Sequence, residues 1–123
     1  MLSNLERQTG MNRSIIKKLK FLERQGFKRK VCSRNGDSEI YYTKSNSTIE
    51  VHYYQSTLMR YCLEVIIDCN GKRENIFHCT SFNQAEISCL EKEFYSINPP
   101  DPLQKQLDLY AEFLKKHAIE LSQ

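Results

Sequence analysis

Between residues 14 and 25 the chain (SIIKKLKFLERQ) sets Ile15, Ile16, Leu19 and Leu22 at helical spacing, and Gly26 followed by apolar Phe27 supplies a left-handed stop. A first helix is therefore expected over 14–25. The period then changes to two. KRKVCSR, Asn35-Gly36 and EIYYT read as a hairpin, because both central positions of a type I′ turn need positive φ and Asn-Gly meets that need. A two-residue loop pairs Val31 with Ile40, Lys30 with Tyr41 and Lys28 with Thr43.

The polar stretch KSNS at 44–47 separates this hairpin from TIEVHYYQ, where Ile49, Val51 and Tyr53 alternate against Glu50, His52 and Tyr54. One face of that strand is expected to be buried and the other wet. Residues 60–69 alternate Tyr61, Leu63, Val65 and Ile67 against Cys62, Glu64 and Asp68, and Asn70-Gly71 then turns the chain into a fifth strand, KRENIFHC. A two-residue loop there sets Cys62 opposite Cys79 and Leu63 opposite His78; a bulged loop shifts the pairing by one. Short strands joined by tight turns favour an antiparallel meander, since parallel pairs need crossovers of a dozen or more residues.

From Asn83 the helical period returns, with Ile87, Leu90 and Phe94 on one face, Ser81 or Asn83 as N-cap and Glu86 in the first turn. Asn98-Pro99-Pro100 ends that helix. Asp101 caps the next, Pro102 takes its first position, and Leu103, Leu107, Tyr110, Ala111, Leu114, Ala118 and Leu121 form a long apolar stripe. The pattern predicts an α+β single domain over 12–123: an N-terminal helix, a five-stranded antiparallel meander and two C-terminal helices. Residues 1–11 are expected to be a flexible leader, with Met11 an alternative start.

Length and composition fit this picture. A chain of 123 residues with 40% hydrophobic and 27% charged residues is the size of one domain and can bury its own core. Its five cysteines, odd in number and without a C-x-x-C, give neither a complete disulfide framework nor a common zinc cage, and read as reduced thiols. The first residues lack the apolar core of a signal peptide, and the longest aliphatic run, Val65-Ile66-Ile67, is far short of a membrane span. A cytoplasmic protein with no membrane partner is expected.

Charge is uneven. From Arg13 to Arg34, nine Lys and Arg residues face only Glu23, so this stretch carries +8 and the remainder of a chain of net charge +3 carries −5. A basic segment of this kind attracts phosphate backbones, anionic membrane surfaces or acidic proteins, or is simply a solvated face whose lysine stems cover apolar surface. Basic residues of the first strand would interleave with strand tyrosines, an arrangement that can stack unpaired bases. The first strand's charges also oppose edge pairing with a second copy; the oligomeric state is left open.

Catalytic and metal-binding patterns are sparse. His78 and Cys79, as neighbours on a strand, would point to opposite faces. The four glycines are isolated, so there is no Gly-rich phosphate loop, and neither G-x-S-x-G nor H-E-x-x-H occurs. Glu64 with Asp68, and Glu91 with Glu93, lack partners that would fix an acid and a base. No enzymatic activity, cofactor or metal is expected. Tyrosines at 41, 42, 53, 54 and 61 instead concentrate on the central strands, and tyrosine favours interfaces. With helices on one face of the sheet, the other presents Tyr41, His52, Tyr54 and Glu64.

SIIKKLKFLERQGF, the strands IEVHYY and YCLEVII and the two closing helices together resemble small bacterial single-domain immunity proteins of toxin–immunity pairs, in style over residues 12–121. That resemblance implies a non-enzymatic inhibitor that binds a cognate toxin domain and blocks its active site. The basic first helix departs from the acidic surface suited to a basic nuclease, so the toxin would be acidic or would be bound through another face. A resemblance to helix-sheet-helix secretion chaperones also implies protein binding. The expected partner-binding residues are Lys17, Lys20, Lys28, Lys30, Tyr41, His52, Tyr54 and Glu64. The alternative is a nucleic-acid-binding domain using the basic segment 13–34 for phosphates and Tyr41 or Tyr54 for stacking.

Overall fold

The computed structural model describes residues 4–34, 37–54, 63–97 and 102–122. They form a five-stranded antiparallel sheet in sequence order, β1 (Lys28–Arg34), β2 (Asp37–Lys44), β3 (Ser47–Tyr53), β4 (Leu63–Cys69) and β5 (Lys72–Asn75). Before the sheet run α1 (Asn4–Lys18) and the short α2 (Lys20–Arg24); after it come α3 (Gln84–Tyr95) and α4 (Pro102–His117). This is the single-domain α+β meander that the alternating periods predict.

The first helical segment begins ten residues upstream of Ser14, taking in most of the stretch read as a leader, and Met11 packs partly buried against the core. It is broken once, at Leu19, and ends at Gly26, whose φ of +100° is left-handed. There the Phe27 N–H donates to the Leu22 carbonyl (3.0 Å) and the Gly26 N–H to Glu23 (3.0 Å). Leu22 and Phe27 are both buried, which completes a Schellman cap with its hydrophobic contact.

The hairpin register follows the expected one: Val31 lies opposite Ile40, Lys30 opposite Tyr41 and Lys28 opposite Thr43. Asn35 and Gly36 lie outside the described residues, as do Tyr61 and Cys62 of the expected fourth strand. The second connection is tighter than the polar KSNS run implied. Lys44 pairs with Ser47 across a two-residue turn in which Ser45 takes φ 55°. At the β4–β5 turn Asn70 and Gly71 have φ of 55° and 85°, the conformation Asn-Gly was expected to provide.

The fifth strand is shorter than its alternation predicted. The ladder ends at Ile66 opposite Asn75, and Ile76–His78 forms a 3-10 turn. Asn75 causes the change: its side-chain oxygen accepts the Phe77 N–H at 2.9 Å, a local bond that competes with the strand ladder. His78 is therefore exposed and Cys79 buried in the core, and no Leu63–His78 pair forms.

Residues alternate cleanly across the sheet. Ile40, Tyr42, Ile49, Val51, Tyr53, Leu63, Val65 and Ile67 face α1, α3 and α4 and share one core with Ile15, Leu19, Leu22, Ile87, Leu90, Phe94, Leu107, Tyr110 and Leu114. Burying one such side chain contributes about 1.5–3 kcal/mol, so this layer holds the helices to the sheet. Polar ties fix their position. Gln106, 0% exposed, accepts the Leu63 N–H at 3.2 Å, while the Tyr110 hydroxyl donates to the Leu63 carbonyl at 3.3 Å. The Ser47 hydroxyl donates to the Leu121 carbonyl at 2.6 Å. Asn83 is the N-cap of α3, its side chain accepting from Ala85 and Glu86 N–H groups. Glu86 and Glu120 both contact His117, which closes α3 onto the end of α4.

Candidate interaction face on the open side of the sheet

The second face of the sheet carries the alternate residues, and the register sorts them into rows. Cys32, Glu39, His52 and Glu64 lie across β1 to β4 in one row; Lys30, Tyr41, Glu50, Ile66 and Asn75 form the next; Lys28, Thr43, Thr48, Asp68 and Arg73 form a third. Among the described residues no helix packs on this face. Four of the expected binding residues, Tyr41, His52, Tyr54 and Glu64, meet here, and Lys28 and Lys30 lie along its β1 edge.

The centre is a linked polar cluster. His52 is only 6% exposed; its Nε2 lies 3.0 Å from Glu50 Oε1, and its Nδ1 lies 3.8 Å from Glu39 Oε1. Arg73 grips Glu50 with two bonds, Nε to Oε2 at 2.8 Å and Nη2 to Oε1 at 2.9 Å, the bidentate fork that suits a carboxylate. The Tyr41 hydroxyl donates to Glu39, the Tyr54 hydroxyl to Glu64 Oε1 at 2.9 Å, and Asn75 Nδ2 to Glu64 Oε2 at 3.2 Å. The His52 ring stacks on Tyr54 at 6.1 Å between centroids and meets the edge of Tyr41 at 6.3 Å.

The electrostatics follow from these bonds. Arg73's hydrogen bonds, reinforced by His52, hold the Glu50 carboxyl below its ordinary range. The hydrogen bond to Glu39 pushes the Tyr41 phenol up to about 12, and burial, followed by the bond to Glu64, does the same for Tyr54. Both tyrosines thus remain neutral donors at physiological pH. Three carboxylates, Glu39, Glu50 and Glu64, share this centre with one guanidinium, so the middle of the face is acidic with aromatic walls.

Glu50 and His52 correct one expectation. Alternation placed them on a wet face, yet both are buried. Tyr41, Tyr54 and Arg73 lie over and beside them, and ion pairing makes their burial tolerable. Sequence reasoning also missed Glu39, Arg73 and Asn75. Glu39 was within reach: once KSNS is read as a two-residue hairpin, the register sets it opposite His52.

Lys17 and Lys20 do not join the other expected residues. They lie on α1 and α2, which pack against the opposite sheet face. Three of the segment's nine cations are locally paired: Lys18 with Asp108 at 2.7 Å, and Lys20 at 3.6 Å and Arg29 at 2.9 Å with the same Glu23 carboxylate. The basic segment is therefore split between a helical surface and the β1 edge. Among the described residues, no three His, Cys, Asp or Glu side chains converge to hold a metal, and no helix is long and apolar enough to cross a membrane. Comparison with known family models, with curated proteins and with solved structures found no match.

Proposed function

We propose that this domain is a non-enzymatic protein-binding module whose open sheet face docks a basic surface of its partner, with inhibition of a cognate toxin domain as its most concrete form. The observation that supports it is the gathering of Glu39, Glu64, Tyr41 and Tyr54 around the buried Glu50–His52 pair, on a face where no helix packs among the described residues. Neutral tyrosines beside fixed carboxylates offer rigid contact area with acceptors for Lys and Arg. The acidic surface that the basic first helix lacks is supplied by this other face. Cytoplasmic residence belongs to the same proposal.

The charge distribution favours a protein partner over the alternative of a nucleic acid. Phosphates would meet the Glu39 and Glu64 carboxylates at the centre of the face, and the hydroxyls of the two stacking candidates are bonded to these two. Lys17 and Lys20 stand on the other side of the sheet. Capture from the native host, including the products of neighbouring genes, is expected to return one stoichiometric protein that elutes as salt rises, while labelled single-stranded and duplex oligonucleotides show no binding at low ionic strength. Salt-sensitive oligonucleotide binding without a protein partner would overturn the proposal.

A further inference from the structure

At the end of the open face, where β3 and β4 meet the helical layer, lies a pocket of about 120 Å³ walled by Tyr54, Phe77, Tyr95 and Tyr110, with Glu64 and Asn75 as its polar lining. Its rings are packed against one another: Phe77 stands 5.8 Å from Tyr95 and 6.1 Å from Tyr110, nearly parallel to the latter at 27°. Ligand sites for whole small molecules run to about 300–1,000 Å³, so this pocket has room for one head group and not for a metabolite.

The lining selects the charge of that group. Aromatic faces attract cations within about 6 Å of their centroids. Glu64 supplies a carboxylate in the same space. Its Oε1 accepts the Tyr54 hydroxyl and its Oε2 accepts Asn75 Nδ2, which leaves each oxygen one further acceptor direction. Two acceptors on one carboxylate between aromatic walls match the planar fork of a guanidinium, which bonds bidentately and stacks, better than the single point charge of an ammonium.

We propose that this pocket is an arginine-binding site, occupied by one arginine side chain of a partner docked on the adjoining sheet face. Tyr54 and Glu64 belong to both the face and the pocket, so a single bound surface reaches both. The inference rests on the protein-binding reading for the source of the arginine, and its own test needs no partner. Titrating the isolated domain with N-acetyl-arginine N-methylamide, and following the Asn75 side-chain amide and Tyr95 ring signals by NMR, is expected to give saturable shifts. The uncharged citrulline analogue and the lysine analogue should each bind more weakly, and Glu64→Gln should weaken arginine binding by about tenfold or more, as loss of the charge behind the bidentate pair implies. Tyr95, 51% exposed, allows Tyr95→Ala as a second variant that weakens binding without removing core.

Absence of saturable shifts, equal binding of citrulline and arginine, or unchanged binding in Glu64→Gln would overturn the site. Equal binding of lysine would overturn the guanidinium assignment. A failed titration leaves docking on the sheet face standing, while a failed partner capture leaves the titration result standing.

Discussion

Arg73→Ala removes the cation that holds Glu50, and the size of the loss follows from what each partner keeps. The Glu50 side chain is 7% exposed and that of Arg73 53%, so the carboxylate stays buried while the cation it loses was half in water. Breaking a fully buried ion pair costs about 3–5 kcal/mol, whereas an exposed pair contributes about 0–1 kcal/mol. With one partner buried, two bonds at 2.8 and 2.9 Å, and His52 remaining at 3.0 Å, the expected loss is about 2 kcal/mol. For a domain of this size that lowers Tm by about 6–10 °C.

The pH dependence carries its own signature. Glu50's carboxyl is held below its ordinary value of 4.5, so the folded state binds its proton less readily than the unfolded chain. The pair's contribution is thus complete above that ordinary value and is lost as pH falls through the lower folded one. Urea unfolding followed by far-ultraviolet circular dichroism should separate wild type from Arg73→Ala at pH 7, with the two converging in acid. A loss under about 0.5 kcal/mol at pH 7, or one that persists unchanged once Glu50 is protonated, would mean that Arg73 does not hold the Glu50 carboxylate in place.

Gly26→Ala puts a Cβ at φ +100°, 3.3 Å from the Lys44 side chain, and should cost about 1–2 kcal/mol in chemical denaturation. Asn83→Ala removes the α3 cap and should cost about 1 kcal/mol, measured in the same way. Gln106→Ala strips the Leu63 N–H of its acceptor and should cost about 1–3 kcal/mol, with faster hydrogen exchange at the Leu63 amide as its local mark.

How much of this was legible varies with what each feature depends on. The β1–β2 register was readable because Asn-Gly ties turn type to pairing, and the Gly26 stop because a left-handed cap before an apolar residue has a local cause. The stripe from Leu107 to Leu114 was equally plain, since burial on a helix repeats with the helical period; the expected helix runs on to Leu121, but α4 stops at His117 and Ala118–Ser122 is a 3-10 segment. Asn75 shows the limit of alternation: KRENIFHC keeps a strand-like pattern, yet one side-chain bond to Phe77 converts it to a turn. Asn-initiated capping was the overlooked signal. The candidate face was legible as four residues, Tyr41, His52, Tyr54 and Glu64, because they share strand parity. Its acidic character was not. Glu39 and Arg73 reach the cluster only through pairings across β2, β3, β4 and β5, and Glu50 is buried by neighbours on other strands, which no single strand's pattern records. Charge counting misled in the same way, because a run of nine cations along the chain is divided by the fold between two surfaces.

The most direct measurement of the central claim compares partner capture by two variants whose folding is first checked by their unfolding transitions. Tyr41→Ala combined with Tyr54→Ala alters the open face; Lys17→Glu combined with Lys20→Glu reverses charge on the helical side. The stoichiometric partner is expected to be lost from the first and retained by the second. Retention by the face variant together with loss from the helix variant would contradict that expectation, and would move the binding surface to the basic helices.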